Sequence, residues 1–239
     1  MIIKKIHNDI IFYNEDTDLD VDKVINDEVY NIDRNMNIEI INKRKWIKKH
    51  FIRKGRMTFL GDKYVKPFFG LTRTRSYSEF YILNYLYKCN FNTCRPIIGW
   101  ITNKNMLFYS ASLIVERLNS TVTLSEYIKN DANESLFSSI GQQISLMHNL
   151  GVYHGDLNAS NILVRVNKES LNKSDNRSSA ISDIYIIDFD KSFVGVNQKL
   201  FSRFMRNNLS RLKRSLIKLG HRDHVEKYWK SLLEGYSFR

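Results

Sequence analysis

No glycine occurs before Gly55, and only Pro67 and Pro96 interrupt the chain with proline. A glycine-rich loop that wraps phosphates in backbone N–H groups is therefore missing from the start of the sequence, and Gly55, Gly61 and Gly70 come too late to build one ahead of Lys43. Cysteine is as scarce. Cys89 and Cys94 have no second pair and no histidine cluster beside them, so neither a zinc site nor a disulfide framework is supported and a reducing compartment is expected. No apolar run is long enough to span a bilayer, and Met1 to Asp9 lacks the uninterrupted apolar core of a signal peptide, so a membrane role would be peripheral. Acidic residues are in deficit: 25 Asp and Glu against 37 Lys and Arg leave a formal charge of +12. That excess implies a polyanionic neighbour, whether nucleic acid, anionic lipid or phosphorylated glycan.

Two stretches carry chemistry. The first, Tyr153-His154-Gly155-Asp156-Leu157-Asn158-Ala159-Ser160-Asn161, runs into the apolar segment Ile162 to Val164; the second, Ile184 to Ile187, ends in Asp188-Phe189-Asp190-Lys191. Phosphoryl transfer needs a carboxylate beside the acceptor hydroxyl and oxygen ligands that hold Mg²⁺ on the nucleotide phosphates. Asp156 suits the first role. The two apolar runs can pair as a small hairpin, which would bring Asn161 and Asp188 to one metal ion. A plain Asp- and Asn-rich surface loop between two strands is the competing reading, and two motifs in the right order weigh against it.

The pattern resembles the protein-kinase catalytic loop, where an aspartate precedes an asparagine by five and a metal-binding Asp-Phe-Gly follows. His154 then stands at the place of that superfamily's structural histidine, while Gly155 replaces an arginine and Asp190 a glycine. The segments His154 to Leu163 and Asp188 to Lys191 are similar to those of the lipopolysaccharide kinase branch, and within it to the 3-deoxy-D-manno-octulosonic acid (Kdo) kinases. Lys49-His50-Phe51 with Arg53-Lys54-Gly55, Arg75 to Phe80, and Asn208 to Ser215 carry the same resemblance, which covers most of the chain from about residue 49. It implies an α+β, bilobal protein-kinase-like fold: a small β-rich N-lobe with one helix over residues 1–117, and a larger helical C-lobe over 118–239.

Along the chain, Ile2 to Tyr13 alternates as strand with a turn at His7 to Asp9, and Asp16 to Tyr30 has the spacing of an amphipathic helix. Asn37 to Phe51 reads as a strand or hairpin carrying Lys43, Arg44, Lys45, Lys48 and Lys49. One cation here would reach the α- and β-phosphates; Lys49 is the choice and Lys48 its rival, since strand alternation sends them to opposite faces. Solvated surface lysines are the alternative. Ser76 to Lys88 is an expected helix with a Ser76/Glu79 capping box, and Glu79 matches the glutamate that kinases pair with the strand lysine. Strands follow at Ile97 to Trp100 and Ser110 to Leu118, and the resemblance puts adenine-binding backbone groups at Glu116 to Leu118. A capping box at Thr123 to Glu126 opens a short helix; Glu134 to Leu150 forms a longer one, with His148 a packing or surface residue. Asn167 to Asp183 reads as a long hairpin loop. Helices are expected at Ser202 to Leu219 and Asp223 to Leu233. On the former, Arg211 and Arg214 are candidates for binding the carboxylate or phosphate of a substrate.

The resemblance implies Mg²⁺- and ATP-dependent phosphorylation of a hydroxyl of Kdo on lipid A, an anionic acceptor at the cytoplasmic face of a Gram-negative inner membrane. The protein would sit in the cytoplasm, peripheral on that membrane. Two other readings stay open: an RNA-associated atypical protein kinase, disfavoured because no aromatic-plus-basic RNA-reading motif is present, and a non-catalytic pseudokinase module, motivated by the missing glycine-rich loop and opposed by the retained Asp156, Asn161 and Asp188.

Overall fold

The computed structural model describes residues 1–15, 38–41, 45–51, 66–67, 69–103, 108–166, 181–195 and 198–236. The expected helix from Asp16 to Tyr30, the cations Lys43 and Arg44, the Arg53-Lys54-Gly55 turn, Gly61 and most of the expected loop from Asn167 lie outside the described residues. The chain divides into two compact units. The first holds Met1–Phe80 and Arg95–Arg117, the second Tyr81–Cys94 and Leu118–Arg239.

The first unit is built on a seven-stranded sheet. Strands β1 (Ile2–Ile6) and β2 (Asp9–Tyr13) form an antiparallel hairpin whose turn passes through His7 at φ 54°. Beside it run β6 (Pro96–Asn103) and β7 (Phe108–Glu116), then β4 (Trp46–His50) and β3 (Ile38–Ile41), with the short β5 (Lys66–Pro67) also on β7. The order β1-β2-β6-β7-β4-β3 places β7 centrally. Ile11, Ile98, Trp100 and Ile114 form a core against which Trp46 packs. This burial of apolar area is what holds the sheet together.

Helix α1 (Arg75–Lys88) is divided between the units at Phe80 and Tyr81. It starts at Arg75, so Ser76 lies inside the first turn and is not the cap expected from the sequence. Its hydroxyl donates to the Trp100 carbonyl (3.3 Å), and Glu79 is released for another partner.

Helices and two small sheets make up the second unit. Helix α2 (Leu124–Tyr127) opens on the expected capping box: Thr123 Oγ1 accepts from Glu126 N–H (3.2 Å) and Glu126 Oε2 accepts from Thr123 N–H (3.0 Å). Helix α3 (Glu134–Asn149) buries Leu136, Phe137, Ile140, Ile144 and Met147 at its period, and ends before Gly151 at φ 74°. Helices α4 (Gln198–Lys218) and α5 (Arg222–Gly235) complete the unit; α4 starts four residues before its expected Ser202 and stops one short of Leu219, and α5 runs one residue earlier and two later than expected. Gly141 of α3 and Gly235 of α5 let those two helices touch backbone to backbone. Strands β10 (Ile162–Val166) and β11 (Ile181–Ile186) pair antiparallel as anticipated, with β8 (Thr121–Thr123) on the far side of β10, while β9 (Val152–Tyr153) pairs β12 (Phe193–Val194). A strand-rich first unit and a helical second unit fit the expected α+β class.

Candidate active site

Within the first unit, β4 and α1 bring together two of the residues singled out by sequence. Lys49 Nζ donates to both carboxylate oxygens of Glu79, at 2.8 and 3.1 Å. Glu79 is 3% exposed and Lys49 22%. A carboxylate this deeply buried is tolerable only beside a cation, so the pair fixes where the lysine head sits. The Phe51 ring supports it from 4.9 Å and carries the Arg75 guanidinium at 5.1 Å. Lys48, one residue earlier, takes the other face of the strand. It is 1% exposed, with Nζ 5.8 Å from the centre of the Trp100 ring. At Glu116 the backbone N–H donates to Arg95 O (2.9 Å), and the N–H of Arg117 to Lys45 O (2.9 Å).

In the second unit the loop between β9 and β10 is shaped by its own amides. Asn158 Oδ1 accepts from the N–H groups of Ser160 (2.9 Å) and Asn161 (3.2 Å), the local turn that asparagine makes readily. The carbonyl of Asp156 accepts from Asn158 Nδ2 (3.1 Å) and Asn161 Nδ2 (2.9 Å). The second of these bonds orients the Asn161 amide and leaves its Oδ1 as the outward oxygen. Register does the rest: Ile162 pairs Ile186, and Ile187 N–H donates to Asn161 O (3.0 Å). Asp188 follows at once. Its φ of 62° is a left-handed turn that aspartate tolerates better than most residues, and it ends the strand.

His154 joins the two loops. Its Nε2–H donates to Ile187 O (2.9 Å), its Nδ1 accepts from Asp156 N–H (3.0 Å), and its ring lies 4.8 Å from that of Phe189. Gly155 is glycine for reasons of space. A Cβ there would meet the Lys191 backbone at 2.5 Å, and its N–H donates to Ser192 Oγ (3.0 Å).

Helix α4 braces the loop from the other side. Arg211 Nη1 donates to Gly155 O (2.7 Å) and to Asp156 Oδ1 (3.0 Å). With side chains 41% and 56% exposed, this ion pair adds little stability, about 0–1 kcal/mol; what it does is hold one carboxylate oxygen and leave Oδ2 without a partner among the described residues. Arg214 instead donates from Nε to Ser210 O (3.3 Å) and stays exposed. Asn208 and Ser215 were not singled out by sequence. Asn208 bonds both backbone groups of His154, and Ser215 Oγ accepts from Ala159 N–H (3.2 Å). The available signal was a polar residue in an apolar stripe: Met205, Asn208, Leu212 and Leu216 are all buried at helical spacing.

The family model described as Lipopolysaccharide kinase (Kdo/WaaP) family matches residues 28–236. The chain belongs to this family. It is similar to a 3-deoxy-D-manno-octulosonic acid kinase of Vibrio vulnificus (strain YJ016), 35% identical over 167 residues, which are 68% of this chain and 63% of the relative. Less than two thirds of that relative's length is thus represented. A second such kinase, from Mannheimia succiniciproducens, is 32% identical over 179 residues, 73% of this chain and 68% of the relative. Among solved structures, WaaP in complex with acyl carrier protein has a TM-score of 0.54 at 14% identity, covering 82% of this chain and 71% of that one. The Kdo/WaaP chain described here therefore has a kinase-like fold.

Its donor set suits a hard cation shared with phosphates. Among the described residues no group of three or more His, Cys, Asp or Glu side chains is placed to hold a metal alone. Mg²⁺ on a nucleotide asks for less, one or two protein oxygens with phosphate and water completing the octahedron. Asn161 Oδ1 meets no donor among the described residues, and the Asp188 carboxylate follows Asn161's backbone partner Ile187. Asn161 Oδ1 and an Asp188 carboxylate oxygen are the groups that would supply them.

Proposed function

We propose that this protein transfers the γ-phosphoryl group of ATP to a hydroxyl of Kdo attached to lipid A. The observation that supports it most is the hydrogen bonding that ties the two motifs together at Asn161, whose Nδ2 donates to the Asp156 carbonyl and whose carbonyl accepts from Ile187 N–H, one residue before Asp188. In this reading Asp156 Oδ2 accepts the hydroxyl proton as the acceptor oxygen bonds to the γ-phosphorus and the bond to the β-phosphate oxygen breaks, releasing ADP. Lys49 holds the nucleotide phosphates and Glu79 holds Lys49. Asn161 and Asp188 hold Mg²⁺, which when bound neutralises phosphate charge. Adenine recognition near Glu116 falls to groups other than the N–H of Glu116 and of Arg117, since both are used inside the first unit. The exposed edges of Arg211 and Arg214 face the anionic groups of the acceptor. The kinases of Vibrio and Mannheimia named above support Kdo as that acceptor.

The same reading places the protein in the cytoplasm, peripheral on the anionic surface of a Gram-negative inner membrane, and does not count nucleic acid among its partners. Among the described residues no helix is long and apolar enough to cross a membrane. Helix α4 exposes Arg203, Arg206, Lys213, Arg214 and Lys218 and contains no acidic residue; each cation near an anionic leaflet is worth about 1 kcal/mol.

Labelled ATP with purified Kdo-lipid A, and a heptosylated acceptor alongside, tests the reaction. Asp156→Ala is expected to remove most transfer while nucleotide binding persists, and Asp188→Ala to weaken Mg-ATP binding as well. Parent-like transfer by both variants would refute the assignment.

A further inference from the structure

Behind the catalytic loop lies a buried polar chain to which no role has been given. Asn208 is fully buried, and its amide matches the His154 peptide groups one to one: Nδ2 donates to His154 O (2.6 Å) and Oδ1 accepts from His154 N–H (3.2 Å). Reversing the amide would oppose two oxygens and two N–H groups, so its orientation is fixed. Oδ1 also faces Nε2 of His148 at 3.0 Å. A carbonyl oxygen can only accept, so His148 carries its proton on Nε2. Its Nδ1 then accepts the Tyr236 hydroxyl proton, at 2.8 Å. His148 is 1% exposed.

Burying a histidine and an asparagine side by side is costly unless their hydrogen bonds are made, and this network directs them to the backbone two residues before Asp156. The next turn of α4 supplies Arg211 to Gly155 O and Asp156 Oδ1. We infer that Asn208, set in one orientation by the Nε2–H tautomer of His148 and the Tyr236 hydroxyl, is a positioning residue for the transfer step, acting through the His154 backbone to hold Asp156 against its acceptor. Asn208 touches neither nucleotide nor acceptor in this scheme. The inference rests on the phosphotransferase reading above.

Two variants test it in the full chain, with Kdo-lipid A and labelled ATP. Asn208→Asp conserves volume and the oxygen facing His148 but replaces the donating amide with an oxygen 2.6 Å from a carbonyl. It is expected to lower kcat about a hundredfold, the scale of an ångström of misplacement, with KM for ATP within about twofold of the parent. In an Asp156→Asn background the same substitution should leave the residual rate unchanged, because it acts through Asp156. A merely structural role would lower both backgrounds alike, and would overturn the inference. Tyr236→Phe removes one hydroxyl near the end of the described chain and serves if Asn208→Asp does not fold; it should reduce kcat severalfold at constant KM. A parent-like kcat in Tyr236→Phe, or in folded Asn208→Asp, overturns the inference while leaving the kinase reading intact. A parent that transfers no phosphate sinks both.

Discussion

Acid should weaken this protein through one histidine. Burial lowers the pKa of His148 to about 4 from the usual 6.5, with its hydrogen bond to Asn208 opposing the shift and the nearby His154 reinforcing it. Between pH 6.5 and 4 the unfolded chain therefore binds a proton here that the folded chain refuses. Folded-state pKa lies below unfolded-state pKa, so stability is complete above about pH 6.5 and falls as pH drops. At 1.36 kcal/mol per unit, the loss from this group reaches about 2 kcal/mol at pH 5 and about 3 kcal/mol near pH 4. Against a typical domain stability of roughly 5–15 kcal/mol that is a large share. Other groups titrate in the same window, His221 among them with a pKa also lowered by burial. Comparison with His148→Gln separates them, since every other group is common to both chains. Urea unfolding followed by tryptophan fluorescence from pH 7.5 to 5.0 should show the stability gap between parent and variant shrinking by about 2 kcal/mol in the variant's favour. Parallel curves would mean that the folded chain protonates His148 as readily as the unfolded one, and would refute the claim that burial disfavours the charged ring.

Two further outcomes follow from the geometry. Gly155→Ala forces a methyl against the Lys191 backbone at 2.5 Å, where no side chain can yield; it should lower stability by about 1–3 kcal/mol and cost transfer activity more than nucleotide binding, read by thermal unfolding and turnover together. Lys49→Met leaves the buried Glu79 carboxylate without this cation and should destabilise by on the order of 3 kcal/mol while weakening nucleotide binding. Lys48→Met, a volume-conserving change over Trp100, should keep parent-like nucleotide affinity. Equal affinity losses in the two lysine variants, measured with a fluorescent nucleotide, would reverse the choice between them.

Much of the fold was legible because period and capping chemistry are local. The β10/β11 pairing follows from two short apolar runs, α3 from five apolar residues at helical spacing, and α2 from a reciprocal Thr123/Glu126 cap. Ser76 shows the limit of that logic. The same Ser-x-x-Glu pattern is present there, yet the helix begins one residue earlier and both side chains turn to tertiary partners, Trp100 O and Lys49. A cap and a tertiary contact use the same atoms, and local sequence does not say which partner is nearer.

The part of the candidate site that stayed hidden is the part that acts on backbone. Asn208, Ser215 and one of Arg211's two bonds all end on main-chain groups of residues 154–159. A backbone acceptor carries no residue identity, so nothing in the loop's sequence announces the helix that holds it. Charge misleads in the same place: the arginines of α4 draw notice as substrate ligands, whereas Arg211 spends one nitrogen on the loop and the uncharged Asn208 binds it more completely. In an amphipathic helix the residue to question is the polar one in the buried stripe. A side chain that costs stability to bury there must be satisfied by something fixed, and in this protein what it meets is the His154 peptide, two residues before the carboxylate proposed to take the acceptor proton.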